Sequence, residues 1–258
     1  MTRGARALRQ VAVILVTMPS PRRRPTPVLL VLAAHPARTV LLAAVLPVAA
    51  ALAGRPAREV WLVAATALCG QVLLAWAGDA ADAARPGSSA RPGRPVADGR
   101  LDLGTAWFAA AVAGLVLVPL AVANGWPAGC CYLASVAVGL LGTRLGRTGP
   151  FSWWSWALGW ALYPAFLSLG GWGGLHRGDP PEPVLVGLAA LAGVGVHVLV
   201  STWELVEQRE DGWDTLPLRL GLALGANRLL LACLVYLALV AAATAWAGTQ
   251  LGLAAGGS

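Results

Sequence analysis

The chain has 258 residues, 57% of them hydrophobic and 12% charged, with a mean hydropathy of +0.67. Its charge content is about half the roughly 25% of a soluble globular domain, which excludes both a disordered chain and an ordinary cytosolic fold. The cations are 19 Arg and no Lys against 12 acids, a formal charge of +7. These Arg punctuate apolar runs instead of forming a solvated basic face, so the charge points to membrane topology, anionic lipid or a phosphate-bearing ligand and away from nucleic acid.

Residues 1–27 read as a flexible basic extension. Arg3, Arg6 and Arg9 precede an apolar run at 11–16, and Arg22, Arg23 and Arg24 follow it. The run is too short for a signal peptide and lacks an A-x-A site; Met18 is an alternative start. Residues 28–258 read as one transmembrane domain, opening with an interfacial helix over 28–38. Against the expectation of ~20 apolar residues per spanning helix, seven candidate spans follow: 39–52, 60–77, 106–122, 127–141, 153–169, 183–203 and 229–246. The expected fold is an all-α polytopic membrane helical bundle. Trp61, Trp76, Trp126, Trp153, Trp172, Trp203 and Trp246 stand near span ends, where amphipathic rings meet headgroups. Cys69, Cys130, Cys131 and Cys233 fall in apolar stretches without paired ligand spacing and read as small buried hydrophobes.

Arginine placement assigns sides. The N-terminal segment and the loops after spans two, four and six hold sixteen of the 19 Arg; only Arg55, Arg58 and Arg177 lie in the others. The positive-inside rule then predicts a multi-pass cell-membrane protein with its N-terminus and even-numbered loops cytoplasmic.

Nine of the twelve acids form two clusters, Asp79, Asp82, Asp98 and Asp102 after span two and Glu204, Glu207, Glu210, Asp211 and Asp214 after span six. Asp79 and Asp82 share a face if span two continues as a helix past Trp76, and Glu204, Glu207 and Asp211 repeat that spacing. Two carboxylate faces at one membrane depth suit divalent cations, and Mg²⁺ commonly bridges carboxylates to substrate phosphates. Arg91, Arg94, Arg144 and Arg209 on the same side suit the phosphates directly. The long Gly- and Pro-rich loop from Arg85 to Pro95 exceeds what a connector needs. Together these predict a diphosphate site at the cytoplasmic mouth of the bundle. His197, late in span six, reads as a packing histidine bonded to a neighbouring element.

These residues resemble the UbiA-type intramembrane aromatic prenyltransferases. That family carries N-D-x-x-D-x-x-x-D after its second helix, matched here by Gly78-Asp79-Ala80-Ala81-Asp82, then a basic-Pro-apolar-x-x-Gly segment, matched by Arg94-Pro95-Val96-Ala97-Asp98-Gly99. Its second motif follows the sixth helix, here Val200 to Gln208, with Gly212 and the run from Thr215 to Gly221 beyond. His35-Pro36-Ala37-Arg38-Thr39 is similar to the family's N-terminal segment. Gly78 and Pro86 replace Asn and the last Asp of the first motif, and Val200, Glu204 and Gln208 stand for Asn, Asp and Asp of the second, with Glu207 an extra acid beside them. The family has nine helices, against the seven spans read here.

The resemblance implies a Mg²⁺-assisted transfer of an isoprenyl group from an allylic diphosphate to a hydrophobic or aromatic acceptor. Asp79, Asp82, Glu204 and Glu207 would be catalytic and hold Mg²⁺, while Arg91, Arg94 and Arg144 would bind the diphosphate. Trp153, Trp154, Trp156, Trp160 and Tyr163 would offer ring faces to an allylic cation, with belt and core packing as the plainer role. A membrane terpene cyclase and a degenerate prenyl-lipid-binding homologue are the alternatives within the fold. A small transporter is less well matched, because the spans carry almost no midplane charge.

Overall fold

The computed structural model describes residues 25–85, 94–171 and 178–251, and every regular element among them is helical. The basic extension lies almost wholly outside the described residues, as do Arg91, Trp172, His176 and Arg177.

Helix α1 (Thr26–Ala33) meets α2 (Pro36–Leu52) at 57°. The bend sits at His35, whose φ of 49° lies in the left-handed region, and at Pro36, which cannot extend α1 but suits the first position of a new helix. The helix expected over 28–38 therefore ends at Ala33. Helix α3 (Ala57–Ala83) runs 27 residues, about 40 Å. Asp102 caps α4 (Leu103–Ala123), its carboxylate accepting the Thr105 N–H at 3.0 Å, and Gly125 leads into α5 (Trp126–Gly142). The expected fifth span at 153–169 is two short helices, α6 (Trp154–Ala161) and α7 (Tyr163–Leu169). Pro164 explains the break, since it has no N–H for the preceding turn.

Helix α8 (Pro183–Ser201) continues through a 3₁₀ turn (Thr202–Glu204) into α9 (Leu205–Glu210). Two further helices are α10 (Leu216–Leu224) and α11 (Ala226–Gln250). Thr215 starts α10 by accepting the Leu218 N–H at 3.3 Å, which makes a helix of a stretch that hydropathy reads as a loop. Among the described residues four helices are long and apolar enough to cross a membrane: α3, α4, the α8–α9 stretch and α11. Counting α1 and α2 as one broken span gives five.

Each long helix packs mainly on its chain neighbours, α2 on α3, α3 on α4 and α4 on α5, while α8 lies between α6 and α11. Small residues set these contacts, as they do where helices meet without a hydrophobic driving force. Ala43, Ala50, Ala67, Ala113, Ala121 and Ala128 are buried in one cluster around Tyr132 and Phe166. Gly70 admits the Tyr132 ring, since a Cβ there would lie 2.3 Å from its hydroxyl. Large apolar side chains point outward instead, with Trp61 and Leu115 each 75% exposed and Leu231 64%. An apolar exterior of this extent is compatible with a multi-pass membrane protein and would be a liability in water. Of the four cysteines only Cys233 is buried; Cys69 and Cys131 are half-buried and Cys130 is exposed, because α5 turns that position outward.

The ends of α3 differ in chemistry. At its start, the buried Arg55 donates to the carbonyls of Leu167 and Gly170, tying the turn between α2 and α3 to the end of α7. Burial lowers the Arg55 pKa and the nearby Glu59 works against that fall. Asp79 lies 20 residues beyond Glu59, about 30 Å along the axis and close to a bilayer's hydrocarbon thickness.

Close packing makes Gly193 intolerant of substitution. A Cβ there would stand 2.4 Å from the Trp156 carbonyl oxygen, whereas at Gly187 it would meet nothing within 4 Å. Gly193→Ala is expected to cost about 1–3 kcal/mol by forcing α6 from α8, and Gly187→Ala to be neutral, both read as melting midpoints in detergent. Equal midpoints for the two variants would contradict this packing.

Candidate functional site

Helix α3 does continue past Trp76, so Asp79 and Asp82 end on one inward face, 3% and 6% exposed. The chain returns at Arg94, where the turn at 95–99 is anchored by Val96, buried against Ala80, Leu101, Ala106 and Leu29. That anchor holds the Arg94 side chain over the end of α3. Its guanidinium bonds Asp82 Oδ2 at 3.1 Å through Nη1 and Glu204 Oε1 at 2.9 Å through Nη2. Two acidic segments more than 120 residues apart are thus joined by one fork.

Other arginines complete the network. Arg147 Nη2 bonds Asp82 Oδ2 at 2.5 Å, Arg38 Nη1 lies 3.6 Å from Glu204 Oε1, and Arg85 Nη1 lies 3.7 Å from Asp82 Oδ1. Burial alone lowers the Arg94 pKa, but the carboxylates of Glu204, Asp82, Asp79 and Glu207 outweigh it and hold the guanidinium above its ordinary value. Both oxygens of Asp79 are buried and bond no side chain, while the Val96 backbone N–H and the charges of Arg94 and Arg147 act on the carboxylate.

Arg38, Asp79, Asp82, Arg94, Arg147 and Glu204 line one end of a cavity of about 190 Å³. Its wall descends past Gln71 and Leu74 to Trp156, Trp160 and Tyr163. The Trp160 and Tyr163 rings lie 5.4 Å apart, and the Tyr163 hydroxyl accepts from Gln71 Nε2 at 3.4 Å. His197 faces the cavity beside Trp156, its ring 5.6 Å away, and shares a 3.0 Å bond with the Ser152 hydroxyl from the segment before α6. Head and wall therefore contrast, one charged and donor-rich, the other aromatic.

The expected site residues are distributed unevenly. Asp79, Asp82, Glu204 and Arg94 meet in the cavity; Glu207, its side chain 41% exposed, stays outside the lining and reaches Arg94 only at 3.9 Å. Val200, Glu204 and Gln208, four apart, all line the wall, and Gln208 is held there by the Thr215 hydroxyl at 2.6 Å. Arg144 turns away and stacks over Trp107 at 5.6 Å, while Arg147, three residues on, takes the inward position. Arg91 lies outside the described residues. Trp156, Trp160 and Tyr163 reach the cavity, but Trp154 donates to the Leu145 carbonyl and Trp153 packs by Phe151. Sequence reasoning missed Arg38, Arg147 and His35 as wall residues. The His35-Pro36 pair was the available signal, since a helix broken there turns His35 and Arg38 toward the end of α3.

Among the described residues no three His, Cys, Asp or Glu side chains are grouped to hold a metal ion. Of the carboxylates lining the cavity, Asp79 is the one that no guanidinium hydrogen-bonds, so it is the residue that could hold a cation completed by water and ligand phosphates. Asp82 and Glu204 are engaged by guanidinium groups.

A double-mutant cycle tests the Arg94 bridge. Arg94→Met is expected to cost about 2–3 kcal/mol of unfolding free energy in detergent, and adding Glu204→Gln to restore about 1 kcal/mol by relieving an uncompensated carboxylate; strictly additive losses would show that the two do not interact. Compared with known proteins, the chain matches no family, no curated protein and no solved structure.

Proposed function

We propose that this protein is a divergent UbiA-type intramembrane prenyltransferase that moves an isoprenyl group from an allylic diphosphate to a hydrophobic or aromatic acceptor. The observation that carries the reading is the convergence of both acidic motifs and Arg94 on one cavity with a charged head and an aromatic wall. In this reading α1 and α2 form the first of seven spans, α5 and the α6–α7 pair serve as short ones, and the cavity head faces the cytoplasm. The sixteen Arg counted on that side support the orientation.

The cavity is smaller than the roughly 300–1,000 Å³ of a pocket that encloses a whole ligand. It suits the diphosphate and the start of the tail, leaving the rest among helices and lipid. Arg94 and Arg147 neutralise the diphosphate as the allylic C–O bond breaks and the bonding pair leaves with oxygen. The Trp156 and Trp160 rings offer π-faces to the carbon left electron-poor, and the acceptor supplies the electron pair of the new bond before losing a proton. Mg²⁺, held by Asp79, would add Lewis-acid stabilisation of the leaving group. Asp82 and Glu204 keep the arginines aimed inward.

Purified protein incubated with geranylgeranyl diphosphate, with and without aromatic acceptors, is expected to release pyrophosphate only when acceptor is present. Asp82→Asn and Arg94→Gln are expected to slow release by about 10²-fold or more. Acceptor-independent release with a cyclic hydrocarbon would instead identify a cyclase, and retained lipid binding without release a degenerate homologue. If Asp79→Asn and Asp82→Asn both left the rate unchanged, the site would be misassigned.

A further inference from the structure

Three guanidinium groups, those of Arg38, Arg94 and Arg147, line the head of the cavity, and each is braced by a carboxylate. Asp82 Oδ2 meets both Arg94 and Arg147, and Glu204 Oε1 meets both Arg94 and Arg38. A divalent ion at Asp82 or Glu204 would need near-octahedral oxygen ligands at close range, so these guanidinium groups would have to withdraw or stand against a second cation. The same groups are well placed for an anion. Their planar forks match phosphate oxygens two at a time, and a guanidinium stays charged and is weakly hydrated, so it gives up little on burial. The brace also explains why Arg94 points inward: Asp82 and Glu204 hold its guanidinium there before any ligand arrives.

We infer that Arg38, Arg94 and Arg147 form a metal-independent seat for a diphosphate, with Asp82 and Glu204 acting as braces of the arginines instead of as metal ligands. The inference rests on the isoprenyl diphosphate reading above. It separates two tasks: arginines bind the head group, and any metal, at Asp79, acts after binding. The phosphate of an anionic lipid shares this chemistry, so the medium must keep the two sources apart.

The protein in nanodiscs of phosphatidylcholine would be titrated calorimetrically with inorganic pyrophosphate and with the thiolo analogue of geranylgeranyl diphosphate, in excess EDTA and in excess MgCl₂. Both ligands are expected to bind in EDTA within about threefold of their affinity with Mg²⁺. Arg94→Gln and Arg147→Gln are each expected to weaken binding about tenfold or more under both conditions, the scale of one charge-assisted hydrogen bond. Asp79→Asn, which removes a negative charge from the cavity head, should not weaken binding in EDTA. Because Arg94→Gln strands its acids, Arg94→Gln with Glu204→Gln repeats the test with the local charge balanced, and far-ultraviolet circular dichroism checks the fold. Binding seen only with Mg²⁺, or binding in EDTA indifferent to both arginines, overturns the inference while leaving the diphosphate reading intact. Binding of neither ligand under either condition removes both. Discs with added phosphatidylglycerol should not displace pyrophosphate; displacement would make the seat one for lipid phosphate.

Discussion

The bridge from Arg94 to Asp82 and Glu204 is the interaction on which the charged end of this molecule depends. It connects the end of α3 to the turn between α8 and α9, elements that do not pack extensively on each other. Its geometry needs two supports. Val96 pins the returning loop into the small cluster at the end of α3, and the 3₁₀ turn at Thr202–Glu204 brings Glu204 round to the cavity. In a low-dielectric bundle an unpaired charge is expensive and a paired, hydrogen-bonded one is tolerated. The network of arginines and acids is therefore a condition for placing ionised groups at this depth, before it is a device for chemistry.

Small side chains play the complementary part. Where α3 passes α4 and α5, alanines and Gly70 let backbones approach and leave one large ring, Tyr132, to fill the space beside Phe166. Where α8 crosses α6, Gly193 does the same against Trp156.

Much of this was legible in the sequence. The length of apolar runs located the long helices, and the i, i+3 spacing of Asp79 and Asp82 implied a shared face once α3 ran past Trp76, a face that the structure turns inward. The pairing of two remote acidic segments followed from their matching positions at helix ends. Three features were not legible, each for a physical reason. Whether Arg144 or Arg147 turns inward depends on how the irregular segment after α5 coils, which periodicity does not describe. The Thr215 hydroxyl that holds Gln208 in the wall is a contact between residues whose spacing suggests nothing, although Gln208 itself stood in the second motif. Helix α10 is short and carries Arg219 amid its apolar residues, so its existence rests on the Thr215 cap.

The central claim is that both acidic segments build one ligand site. Photolabelling the purified protein with an isoprenyl diphosphate carrying a diazirine beside the diphosphate, then mapping the modified peptides, tests it most directly. The account predicts labels in both the 71–82 and the 197–208 segments, suppressed together by excess pyrophosphate. Labels confined to outward-facing positions such as Leu115 and Leu231, and unaffected by pyrophosphate, would contradict it.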